Sequence, residues 1–194
     1  LIAEKVGGRV KLAKEIFGMS FSKYVLNNKC DHVMIKSILF ISAFLLCVST
    51  TSAQRVRTVF TGDFSNWTYN NYSFRTGFQN DWDNWTCGST TIRTTFSNDW
   101  DSWEIGDVTL RTTFPNDFDK WEIRGYNKTI TINTTFIDDY ERWDISGEID
   151  GTVRTVFSNN FEQWAFDLDM TGLEEDLQIA IIFVAIYTSF KDQH

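Results

Sequence analysis

Pairs of carboxylates recur along this chain with one aromatic residue between them: Asp81 and Asp83, Asp99 and Asp101, Asp117 and Asp119. Hard oxygen ligands at that spacing can hold Ca²⁺. The competing reading is structural. An Asp in a turn accepts hydrogen bonds from nearby backbone amides, and a later copy of the pattern carries Asn159, Asn160 and Glu162 instead. The structural reading is preferred, and a calcium-stabilised surface repeat is kept as an alternative. No other cofactor is implied. Glycoside hydrolysis needs two acids in unlike environments within one cleft, which equivalent copies of one acid do not offer. From residue 54 onward the only histidine is His194. That removes Ser-His-Asp and Cys-His nucleophiles and imidazole zinc sites. The expectation is therefore a protein that is not an enzyme.

The aromatics between the acids have a second chemistry. Trp82, Trp100, Phe118 and Tyr140 present faces that can stack on sugars, and an array of weak sites gains by avidity. A carbohydrate-binding module using these four residues, with polysaccharide as partner, is the runner-up function.

These residues belong to a unit that occurs six times: apolar-Arg-Thr-x-Phe-x-Asn-Asp-aromatic-Asp-x-Trp-x-apolar. Its Phe falls at 60, 78, 96, 114, 136 and 157, and its Trp at 67, 85, 103, 121, 143 and 164. The Phe-to-Trp distance is constant, so length varies only after the Trp strand, where a surface loop tolerates insertion. In the third copy, two-residue alternation puts Ile92, Thr94 and Phe96 on one face and Arg93 and Thr95 on the other. Trp103 and Ile105 then share a face opposite Glu104. The repeated Phe and Trp are thus expected inside, with only the middle aromatics free to be exposed, and Arg and Glu able to pair across strands. Cys87 takes the inward slot of Ile105 and Ile123 and reads as a small buried hydrophobe. The three- and four-residue spacing of Phe96, Trp100 and Trp103 predicts a helical turn between the strands. Gly106, Gly125, Gly147 and Gly151 are expected to supply positive φ in the connectors.

The fold expected is mainly β: six hairpins in an antiparallel, curved or rolled sheet over 54–170, with a β-solenoid as the alternative. A hairpin cannot bury its apolar face alone, so copies must stack. Nearest-neighbour stacking predicts that one internal copy can be removed with only partial loss of stability. Residues 171–194 change period. Thr171 with Glu174 fits a capping box, and the run from Leu177 to Phe190 is apolar on nearly all sides. It reads as a helix packed on the apolar face of the sheet, with a membrane anchor as the lesser alternative.

Residues 34–53 combine a basic start at Lys36, a short apolar core and small residues ending in Ala53. Those are the parts of a secretory signal peptide, with cleavage expected between Ala53 and Gln54. Residues 1–33 precede it and read as upstream sequence without selected function. Residues 1–53 hold seven Lys/Arg against three Asp/Glu, a net +4, whereas 54–194 hold eleven against twenty-three, a net −12. So acidic a region repels phosphate backbones, and nucleic acid is not an expected partner.

The repeat resembles that of exported bacterial proteins of no assigned activity built from short Trp-containing β units. The resemblance spans roughly 55–166 and implies neither an activity nor a catalytic residue. The function expected is a structural or adhesive role at the cell envelope or outside the cell, as a periplasmic, cell-surface or secreted protein, with polysaccharide or another envelope protein as partner.

Overall fold

The computed structural model describes residues 54–78, 81–97 and 99–191. The expected signal peptide at 34–53, Ala53 included, and the stretch 1–33 lie outside the described residues. Twelve strands alternate along the described chain. They are β1 (Gln54–Thr58), β2 (Asn66–Tyr69), β3 (Tyr72–Thr76), β4 (Asn84–Cys87), β5 (Thr90–Thr94), β6 (Ser102–Ile105), β7 (Val108–Thr112), β8 (Lys120–Gly125), β9 (Lys128–Thr134), β10 (Arg142–Gly147), β11 (Gly151–Phe157) and β12 (Asn160–Leu168). One helix, α1 (Glu175–Phe190), follows.

Each strand pairs antiparallel with its sequence neighbours, and β1 pairs with β12, so the sheet closes into a barrel. The rolled antiparallel arrangement is the one observed, not a parallel solenoid. The register follows one rule. The first apolar residue of a copy faces the Trp of the copy before it: Phe74 opposite Trp67, Ile92 opposite Trp85, Leu110 opposite Trp103, Ile132 opposite Trp121 and Val153 opposite Trp143. The same rule closes the ring, because Val56 of the first copy faces Trp164 of the last. Because side chains alternate faces, these residues all point into the lumen, where each is buried. Arg93 faces Glu104 and Arg111 faces Glu122 on the outside, and both pairs form ion pairs. With Arg and Thr or Glu outward on the described strands, the wall lacks the apolar band of a lipid-facing barrel.

An eight-stranded barrel is filled by its own side chains, and diameter grows with strand number. Twelve strands therefore leave a lumen, and α1 occupies it. From Ile179 to Phe190 every residue of the helix is buried, including Thr188 and Ser189. A helix apolar on all sides needs such an enclosure. The hydroxyls of Thr188 and Ser189 satisfy themselves on the carbonyls of Val184 and Ala185, at 2.7 and 2.8 Å. The apolar face expected to carry the helix is thus the inside of a tube. Among the described residues no helix is long and apolar enough to cross a membrane.

Two local expectations are corrected. The helix begins at Glu175, with Glu174 as its N-cap and no side-chain cap, so Thr171 and Glu174 do not form a capping box. Instead, the Thr171 N–H donates to Asp169 Oδ1 at 2.9 Å, an Asx turn that competes with early helix entry. In the connectors, Gly106 and Gly147 do have positive φ, but Gly125 and Gly151 do not, and after Gly125 the left-handed positions are Tyr126 and Asn127.

Candidate functional site

The barrel has two unlike ends. At the connector end, where the even strands return to the odd ones, α1 enters. Its Asp176 carboxylate accepts hydrogen bonds from the Asp107 N–H, the Thr90 hydroxyl and the Tyr126 hydroxyl, at 3.1, 3.2 and 3.0 Å. Lys128 reaches Glu174 at 2.7 Å. Gly106 has φ 53°, and a Cβ there would run into the Asp176 carboxylate, so the glycine admits this latch.

At the other end lie the six Phe-x-Asn-Asp loops. In the first five copies the Phe carbonyl accepts from the N–H three residues on, as in Phe96 with Asp99 at 3.0 Å. These are β-turns, and the expected helical turn is not present. The last ladder bond before the loop runs from the Thr95 N–H to the Ser102 carbonyl, so pairing ends one residue short of Phe96. Alternation stops there as well. Phe60, Phe78, Phe96, Phe114, Phe136 and Phe157 are consequently outside, each between 60% and 79% exposed, with Ile137 beside them at 85%. The inward placement expected for these rings is overturned: a turn begins at each Phe, and a strand's face cannot be extended into it.

The middle aromatics do the reverse. Trp82, Trp100, Phe118 and Tyr140, along with Phe64 and Phe161, are half-buried and pack against the core. They gather around the C-terminal end of α1. Trp82 stacks on Phe190 at 5.1 Å, Trp100 lies 6.0 Å from Tyr187, Phe118 lies 5.7 Å from Tyr187, and the Lys191 ammonium sits 3.1 Å from the centre of the Tyr140 ring. Among the described residues the buried Trp143 indole N–H has no hydrogen-bond partner, but in the other five copies the backbone of the middle residue also serves the core. Its carbonyl accepts the indole N–H three residues later, at 2.7 Å for Trp67, 2.9 Å for Trp85, 3.0 Å for Trp103, 3.1 Å for Trp121 and 3.2 Å for Trp164. The four aromatics proposed to meet sugars are thus brought together, but around the chain's own helix.

The acids divide into two roles. The first acid of each loop acts on its own turn: Asp99 accepts from the Asp101 N–H and Asp117 from the Asp119 N–H, both at 3.2 Å, while Asp81 accepts from the Asn84 amide at 2.9 Å. The second acid reaches the next copy. Asp101 accepts from the Asn116 N–H at 3.0 Å and from the Thr112 hydroxyl at 3.1 Å. Asp119 accepts from the Asp138 N–H at 3.4 Å, and Glu141 from the Asn159 N–H. Glu162 of copy six accepts from the Gly62 N–H of copy one at 2.7 Å, completing the circle. Asp83 holds the same place in copy two, where its carbonyl accepts from Thr94 at 3.1 Å. The recipient amides belong to left-handed residues, Gly62, Asn116, Asp138 and Asn159. Asp99, Asp101, Asp117, Asp119, Glu141 and Glu162 each direct a carboxylate oxygen at a backbone amide, and among the described residues no group of His, Cys, Asp or Glu is arranged to hold a metal ion.

Cys87 lies inside the barrel, opposite Phe74. Desolvation pushes its thiol up to about 12. Gln54, the expected first residue after cleavage, opens β1, and its side-chain carbonyl accepts from the Tyr69 hydroxyl.

No protein-family model, curated protein or solved structure matches this chain.

Proposed function

We propose that this is an exported, non-enzymatic β-barrel that serves as an adhesive or scaffolding module at the cell envelope or outside the cell, and that it docks through the phenylalanine ring. The observation that carries this reading is the ring itself: one exposed Phe per copy, all six at the same end of a closed barrel. Six solvent-facing phenyl groups are an apolar surface of the kind that marks an interaction site. They rise from loops rich in Asp and Glu, in a region of net charge −12. The partner that complements both features is a protein segment with an apolar centre and basic flanks. Export is supported by the signal-like run 34–53. Absence of catalysis is supported by the lack of histidine between 54 and 193.

The test uses two synthetic amphipathic peptides, one Leu/Lys and one Leu/Glu, against the wild-type protein and the triple variant Phe96→Ser, Phe114→Ser, Phe136→Ser. The Leu/Lys peptide should bind the wild type, more weakly as salt rises, and should bind the triple variant at least tenfold less. The Leu/Glu peptide should not bind. Equal binding of the Leu/Lys peptide to wild type and triple variant would remove the ring as the docking surface.

A further inference from the structure

The six-fold pattern is broken at one junction, between copies one and two. Where copies two to six place Asp83, Asp101, Asp119, Glu141 and Glu162, copy one has Ser65. Its shorter side chain turns back, and its hydroxyl donates to Asp63 Oδ1 at 2.5 Å. The facing position of copy two is also reduced: Gly77 stands where the other copies have Val59, Thr95, Thr113, Thr135 and Val156. Two truncated side chains at one junction leave a solvent-open cleft of about 640 Å³, lined by both residues and by Asp63, Asn66, Arg75 and Trp82.

We propose that this cleft binds one neutral sugar ring of a glycan. The lining has the parts such a ligand requires. Trp82, whose ring also stacks on Phe190, lines the cleft and offers apolar contact to the C–H face of a pyranose, and exposed Phe78 stands beside it. Asp63 is a fixed acceptor, held by the Ser65 N–H at 2.9 Å and the Asn66 amide at 3.2 Å. The Ser65 hydroxyl bond leads the interactions that hold its carboxyl below the ordinary range, so it is ionised at neutral pH. Arg75 supplies a guanidinium donor on the cleft wall. The corresponding Arg93 and Arg111 face Glu104 and Glu122, but Arg75 faces Thr86 and Asn66 and has no ion pair among the described residues. A pocket with an apolar wall and a few placed donors and acceptors suits a ligand whose hydroxyls each donate and accept. The acidic surroundings disfavour an anionic sugar. Unlike the middle aromatics, the pairing of Ser65 with Gly77 occurs at one junction of the repeat.

The test titrates maltotriose, cellotriose and chitotriose into the purified protein while following backbone and indole amides by NMR. At least one trisaccharide should bind, with Kd on the order of 1 mM, and shift Ser65, Arg75, Gly77 and Trp82. Ser65→Asp and Gly77→Thr each restore a residue type that other copies carry. A Cβ on Gly77 would meet only ordinary contacts, 3.7 Å from the Asn84 carbonyl oxygen, so that variant should fold. Each should weaken binding at least tenfold, while Thr129→Ala, on the exposed face of β9 and away from the cleft, should not. Absence of binding to all three sugars, shifts confined to residues outside the cleft, or unchanged affinity in the folded Gly77→Thr protein would overturn the assignment. The wild-type shift map locates the site even if Ser65→Asp fails to fold.

Discussion

Asp101 is bonded to the turn amide of Asn116 and to the hydroxyl of Thr112, and through them ties copy three to copy four. Removing it strands a backbone donor and a part-buried hydroxyl. Asp101→Ala should therefore lower the unfolding free energy by about 1–3 kcal/mol, measured by urea denaturation, and the loss should be the same with added Ca²⁺ or with chelator. A chelator-induced drop in wild-type melting temperature would restore the metal reading of these acids. The pH dependence has a defined sign. Asp63 and Glu174 are held below their ordinary values, chiefly by side-chain bonds from Ser65 and Lys128 respectively. A depressed carboxylate stabilises the folded state above the unfolded pKa, and that contribution disappears as pH falls through the folded value. Thermal stability should hold from pH 7 to about 5 and fall below about 4. Cys87 is pushed the other way, to about 12, by burial. It should resist alkylation at pH 8 in the native protein and react at once in denaturant.

The unit that was most legible in the sequence is the hairpin. Alternation places Ile92, Trp103 and Ile105 inside and Arg93 and Glu104 on the polar face, and the structure has them so, with Arg93 opposite Glu104. Alternation failed at Phe96 because it was carried past the last ladder bond. The signal that could have stopped it was local: the Phe-x-Asn-Asp sequence is a turn whose first residue is the Phe, and turn residues have no strand face. The middle aromatics, which the pattern leaves free to be exposed, are half-buried for a related reason. Their neighbours are polar, but the rings lean over the barrel mouth onto Phe190 and Tyr187, side chains some hundred residues distant for Trp82 and Trp100. The helix itself was visible from its all-apolar run, though its β-branched residues carry little helix propensity, so enclosure sustains it. Ile181→Asp or Val184→Asp places a carboxylate in that enclosure without a partner. Either change should destabilise the barrel by several kcal/mol and shift tryptophan emission to the red. An unchanged melting temperature would mean that the strands hold the lumen open without α1.

At the scale of the whole molecule, closure changes what a repeat can do. In an open stack each copy meets only its neighbours, and loss of one leaves the rest in place. That was the expectation from period alone, since nothing in the spacing of 18, 18, 18, 22 and 21 residues distinguishes an open sheet from a ring. Here copy six pairs with copy one through β12 and β1, and Glu162 reaches Gly62 by the same bond that joins other neighbouring copies. The lumen is matched to one α-helix about 10–12 Å across with its side chains. Ten strands would enclose a narrower space, in which α1 and the six Trp rings that surround it could not all fit. Deleting residues 92–109, one full period, should therefore abolish the cooperative melting transition and the blue-shifted tryptophan emission together, despite leaving five intact hairpins. A deletion protein that melts cooperatively with native-like emission would show instead that the helix can leave the lumen and that the sheet is stable as an open stack.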